Sequence, residues 1–209
     1  MRRTLITAAA AAAAIGMFTA TALAVSATMG NAAIDRGKVD TFQDFTVVDT
    51  NNPAQFDGYF TEIDYFAHRA GTIRFVVVDN TNTVTWVSDE ITAAAKGPYT
   101  VPFAEPVGVT TGSNLGVYSK LAGVVSWEHD ATAERAAWEP NRAGLPAVGE
   151  TLSIAPASDA SARRYYSMNA NVRASSPEIC KDGGWETYGY RNQGQCIASV
   201  VANDNAGKE

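Results

Sequence analysis

From Phe45 onward the chain runs in short stretches that alternate apolar and polar residues, and Gly, Pro, Asn or Asp punctuates nearly every gap between them. A period of two marks half-buried strands, whose successive side chains point to opposite faces of a sheet. In Tyr59–Phe66 the alternation groups Tyr59, Thr61, Ile63 and Tyr65 on one face, and Phe60, Glu62, Asp64 and Phe66 on the other. Thr72–Val78 is rich in β-branched residues, Asp79-Asn80-Thr81-Asn82 reads as a turn, and Thr83–Val87 reads as the return strand. This is the strongest hairpin signal in the chain. Further runs lie at Tyr99–Phe103, Val107–Val109, Leu115–Tyr118, Val124–Trp127, Thr151–Ile154 and Arg164–Val172. Glu90–Lys96 fits a single helical turn ended by Gly97-Pro98. Short strands with turn signals, and no long helical pattern among them, predict an all-β fold: a jelly-roll-like antiparallel β-sandwich of about eight strands. No fixed-period repeat is visible.

The two ends of the chain have a different texture. Arg2 and Arg3 precede an uncharged, Ala-rich stretch, and Ala22-Leu23-Ala24 is a small-x-small cleavage site. Residues 1–24 therefore read as a signal peptide. A membrane anchor would carry more Leu, Ile and Val in place of Ala and Thr. The expectation is a secreted, extracellular protein with no membrane span once the signal is removed. Residues 25–43 are small and polar without a period and read as a flexible leader. Residues 44–173 form the β-sandwich domain, 174–179 a linker, 180–202 a tail and 203–209 a disordered end. In the tail, Cys196, Ile197, Val200 and Val201 have helical spacings, which predicts a short helix.

Cys180 and Cys196 are the chain's two cysteines. A lone pair in an exported protein is most simply a disulfide. It would close a small C-terminal appendage, with Trp185 and Tyr188 packed on the helix's apolar side. A 15-residue gap fits neither a Cys-x-x-Cys redox pair nor a Cys-only zinc site. The formal net charge is −6, and it becomes −8 once Arg2 and Arg3 leave with the signal. An acidic chain without a basic cluster is a poor partner for nucleic acid.

Cys180-Lys-Asp-Gly-Gly-Trp185 and Asn192-Gln-Gly-Gln-Cys196 together resemble a C-terminal segment found on many exported bacterial proteins of unknown function. The resemblance implies export and a tail module, with no catalytic role. The body, by its strand pattern alone, resembles jelly-roll sandwiches of the galactose-binding or carbohydrate-binding-module kind, and fold does not fix function.

Candidate chemistry is sparse. Trp127-Glu128-His129-Asp130 is the densest polar cluster, but alternation would send its neighbours to opposite faces, and a solvated loop is the favoured reading. Asp49, Asn51, Asn52 and Asp57 could supply oxygen ligands to calcium. Their spacing is not that of an EF-hand, and Asp and Asn crowd turns for purely local reasons. No other cofactor is implied. No Gly-x-Ser-x-Gly elbow or recognisable triad occurs. Carboxylates such as Glu62, Asp64, Asp89, Glu90 and Glu128 could pair for glycoside hydrolysis, as in any acidic chain. The aromatics are more suggestive: Trp86, Trp127, Trp138, Tyr99, Tyr118, Tyr165 and Tyr166 could fill a core or offer rings to a sugar's C–H face. Trp138, Trp127 and Tyr118 are the candidate ligand-binding residues, with Trp138 placed on a loop.

These readings favour a secreted, non-catalytic binding module for a glycan or cell-wall polymer. The alternative is a structural or adhesive surface protein that binds other proteins, and a hydrolase ranks third.

Overall fold

The computed structural model describes residues 25–130, 137–138, 144–154 and 163–205, without the side chains of 137–138 and 203–205. The expected signal peptide and residues 206–209 lie outside the described residues. Twelve strands occur among the described residues: β1 (Ser26–Gly30), β2 (Phe45–Asp49), β3 (Gly58–Ala67), β4 (Gly71–Val78), β5 (Val84–Val87), β6 (Ile91–Ala93), β7 (Gly97–Val109), β8 (Asn114–Ser119), β9 (Trp127–His129), β10 (Ala137–Trp138), β11 (Arg164–Tyr166) and β12 (Met168–Ala174). They form an antiparallel sandwich. One sheet has the order β1-β12-β3-β7; the other has β10-β2-β8-β4-β5, with β6 also paired to β4; β9 and β11 form a small ribbon. Successive strands cross repeatedly between the two sheets, the jelly-roll-like pattern expected from the sequence.

The core lies between the sheets. Ile63 and Tyr65 of β3 face Phe75 and Val77 of β4 together with Leu115 and Val117 of β8, all essentially buried. Tyr65 meets Phe75 edge-on with ring centroids 5.4 Å apart. Burial pushes the Tyr65 phenol up to about 12. The second sheet is also covered on its outer face, where Leu152 packs on Val48, Val76, Val78 and Val84. This explains the unbroken apolar run Phe75–Val78: a strand buried on both faces needs no alternation.

The hairpin forms where expected. One Asp79 carboxylate oxygen accepts the N–H groups of Thr81 and Thr83, at 2.8 and 2.9 Å, and so closes the turn. The alternation in β3 misleads, however. Five residue steps of β3 (Tyr59 to Asp64) lie opposite four of β12 (Asn169 to Arg173), so β3 carries a bulge. One extra residue inverts the facing of all that follow. Phe60 is therefore buried with Ile63 and Tyr65, while Tyr59 is only half-buried.

Other expectations need correction. The segment 25–43 is not a loose leader throughout: Ser26–Gly30 pairs with β12, and Val25, Met29 and Asp40 are buried. Its small side chains fit a sheet edge without showing a clear period. Ile91–Ala93 is a strand on Gly71–Ile73, not a helical turn, because that pairing satisfies its backbone. Trp127–His129 is a strand paired with Arg164–Tyr166, not a loop. Arg164–Val172 is interrupted at Ser167, where the chain leaves the ribbon for the first sheet.

The tail is helical and docked. The span read as a linker begins with Ala174, the buried last residue of β12, and Pro177–Cys180 forms a 3-10 turn. Two helices follow, α1 (Gly184–Thr187) and α2 (Gln193–Asn205). The span expected to be disordered from 203 thus opens with the end of α2. Asn192 caps α2, its side chain accepting the Gln195 N–H at 2.9 Å. Cys180 and Cys196 form the disulfide. Both cysteines and Val200 are buried in the main core cluster, and Trp185, Tyr188 and Tyr190 pack against it. Tyr188 meets Phe56 edge-on at 5.7 Å. Gly183 and Gly184 have a steric reason: Gly183 adopts φ +87°, and a Cβ on Gly184 would collide with the Ile179 carbonyl.

Candidate functional site

Two buried carboxylates organise the flank where β1, the end of β2 and the β9–β11 ribbon meet. Asp49, which closes β2, is 1% exposed. Its Oδ2 accepts Asn31 Nδ2 at 2.6 Å and the Tyr166 N–H at 2.7 Å. Its Oδ1 accepts the Asn51 N–H at 3.0 Å and Asn51 Nδ2 at 2.6 Å. Loss of solvent drives the Asp49 carboxyl above the ordinary carboxylate range, and these donors pull it part of the way back. Asp40 is engaged by Arg164 Nη1 at 2.7 Å on one oxygen and by the Tyr166 hydroxyl at 2.9 Å on the other. Burial raises Asp40 as well, opposed by Tyr166, Arg164 and Trp127. The Tyr166 phenol is held well above its ordinary value, first by burial and then by the Asp40 charge, so it serves as a hydrogen-bond donor.

This network lies behind an open cleft of about 440 Å³, lined by Thr28, Gly30, Asn31, Ala32, Arg36, Asn52, Glu128 and Tyr165. Each wall has a structural cause. Asn31 is fixed by Asp49 and accepts Asn52 Nδ2 at 2.6 Å, while the Gly30 N–H is held by the Asn52 carbonyl at 2.8 Å. Arg36 pairs with Glu128, and its guanidinium lies over the Tyr165 ring, 5.6 Å from the centroid. The Arg36 backbone N–H is held by buried Ser126 Oγ at 2.9 Å. Glu128 and Tyr165 are brought side by side by β9–β11 pairing.

The backbone of β1 contributes too. Val25 accepts the Ala174 N–H, and Asn31 donates to the Met168 carbonyl, so odd-numbered residues of this segment bond to β12. In an antiparallel ladder the intervening residues point their backbone groups the other way. Ser26 and Thr28 therefore direct N–H and C=O outward, where no described strand pairs with β1, and Thr28 lines the cleft.

The residues singled out from sequence fall in several places. Trp127 is half-buried beside this network: Arg164 stacks over its ring at 4.0 Å and Lys38 lies 5.3 Å from the centroid. Tyr118 is largely buried, donates to Asp44 Oδ1 at 2.6 Å and is pushed up to about 12, first by burial and then by Asp44. It borders a smaller groove of about 230 Å³, with Thr72, Ile73, Arg74, Glu90, Lys120 and Leu145. The backbone of Trp138 forms a β-pair with Val47 in place of the expected loop; its side chain lies outside the described residues. Asp49 and Asn51 are joined directly, while Asp57 is exposed and caps Thr111, accepting its N–H at 2.7 Å. The three do not converge, and both Asp49 oxygens are already occupied by N–H donors. Among the described residues, no group of three or more His, Cys, Asp or Glu side chains could hold a metal ion.

Tyr165, Glu128 and Asn52 were visible in the sequence as members of other groupings. Thr28, Asn31 and Arg36 were missed, because the segment that carries them has no period. Comparison with protein families, curated proteins and solved structures finds no match to this chain. The geometry therefore carries the functional argument.

Proposed function

We propose that the protein is a secreted, non-catalytic binding module whose ligand is a glycan or cell-wall polymer, held in the Tyr165 cleft. The observation that carries this reading is the setting of Tyr165. An aromatic ring stands in an open cleft among a carboxylate, two amides and a strand edge that no described strand pairs, and a buried network holds several of these groups in place. A sugar has an apolar C–H face and a rim of hydroxyls that both donate and accept. Sites for it combine a ring with convergent polar groups. Preorganisation lowers the cost of ordering the site on binding.

Affinity electrophoresis through gels containing soluble polysaccharides tests the reading. Retardation by at least one polysaccharide is expected, and Tyr165→Ala should weaken it roughly tenfold, the value of about one aromatic contact. Equal retardation of Tyr165→Ala and the parent protein would place binding elsewhere.

The outward edge of β1 supports a second reading, adhesion to another protein. A partner strand could add to the Ser26–Thr28 edge by main-chain hydrogen bonds. Cross-linking to a surface protein, with no retention by any glycan, would favour it.

A further inference from the structure

Resting on the glycan reading, we infer that the Tyr165 cleft takes an uncharged saccharide in preference to an acidic one. Arg36 is the cation lining this cleft, and Glu128 already neutralises it. Arg36 Nη2 donates to the Ala32 carbonyl at 3.3 Å, so the guanidinium is tied on two sides. The exposures of the two partners are unequal: the Arg36 side chain is 9% exposed and Glu128 is 42% exposed. An incoming ligand therefore meets the carboxylate before the cation. A uronate, sulfate or phosphate group would face like charge there, and could reach Arg36 only by displacing Glu128. Displacing Glu128 gives up its pairing with Arg36 and leaves two negative charges, the carboxylate and the ligand, beside one guanidinium.

The remaining polar lining is neutral. Thr28 and Asn52 offer hydroxyl, amide and backbone groups, Tyr165 offers a ring and a hydroxyl, and the Asn31 amide N–H groups are held by Asp49 and the Tyr166 carbonyl. Glu128, 42% exposed, keeps acceptor capacity beyond its bond from Arg36, and sugar hydroxyls are donors suited to it. Charge-assisted hydrogen bonds of this kind are the stronger ones. The chain's formal net charge of −6 adds a long-range repulsion against polyanions.

Calorimetric titration of the whole protein with neutral oligosaccharides (cello-, xylo- and chito-series) and acidic ones (oligogalacturonate, hyaluronate fragments), at low and high salt, tests the inference. A neutral series should bind at least about tenfold more tightly than either acidic one, with less than about a twofold change on adding salt. Glu128→Gln should uncover the Arg36 charge: affinity for oligogalacturonate rises severalfold and becomes salt-sensitive, while neutral binding weakens. If that variant fails to fold, as its melting curve would reveal, the salt series on the parent protein decides the question alone. Tighter binding of an acidic series, weakening with salt, would overturn this inference and leave the glycan reading standing. Binding of neither class would overturn both.

Discussion

Asp49 shows how a site residue is made by its surroundings. In the sequence it stood among Asn51, Asn52 and Asp57 as an oxygen-rich cluster suited to a cation. In the fold it is a buried acceptor for four N–H groups, two from neighbouring Asn51 and one each from distant Asn31 and Tyr166. That arrangement could not be read from the chain, because Asn31 and Tyr166 reach Asp49 only through the pairing of distant strands. Asp49→Asn would set an amide N–H₂ against buried donors. Each donor left unpaired costs about 1–3 kcal/mol, so denaturant unfolding should show a loss of at least that size. The pH response follows from the raised carboxyls of Asp40 and Asp49. A folded state that raises a carboxyl pKa binds its proton more tightly than the unfolded chain does. The stabilisation from these two groups is complete below the unfolded value and is lost as pH rises through the folded values. Melting temperature should therefore fall as pH rises above the unfolded carboxylate value of about 4. Asp49→Asn should flatten that slope; an unchanged slope would assign the titration to other groups.

Elements were legible where local chemistry alone determines them. The β4–β5 hairpin was readable because β-branched runs flank an Asp-Asn-Thr-Asn turn that Asp79 closes by itself. The tail helix was readable from the spacing of Cys196 and Val200, which are buried as a helical face requires. The phase of β3 was not, since a bulge depends on what β12 needs opposite it. Nor was β1, whose short, small residues become a strand only because β12 offers an edge. Docking of the tail was also hidden, although its aromatics, Trp185, Tyr188 and Tyr190, hinted at a surface to cover. A disulfide closing a loop of this size is worth roughly 3 kcal/mol in the chain-entropy model. Because both cysteines lie in the main core cluster, Cys180→Ala with Cys196→Ala should lower the melting temperature of the entire domain. A calorimetric trace in which the tail melts alone, ahead of an unaltered main peak, would argue for an independent appendage.

At the scale of the whole molecule, one core joins two sheets and the tail, and the polar flank beside it carries the cleft. The sandwich class was legible because strand length, turn residues and the lack of long helical patterns all agreed. The cleft was not, since Thr28, Arg36, Asn52, Glu128 and Tyr165 come from four separate stretches of chain. A disulfide is consistent with an oxidising compartment outside the cell, and no helix among the described residues is long and apolar enough to cross a membrane. Ligand seated in the Tyr165 cleft would be located by mapping backbone amide NMR shifts during titration with a saccharide that the protein binds. The largest changes are expected on Thr28, Asn31, Asn52, Glu128 and Tyr165. Shifts centred instead on Arg74, Tyr118 and Lys120, with the Tyr165 cleft silent, would move the binding site to the smaller groove and rule out the Tyr165 cleft.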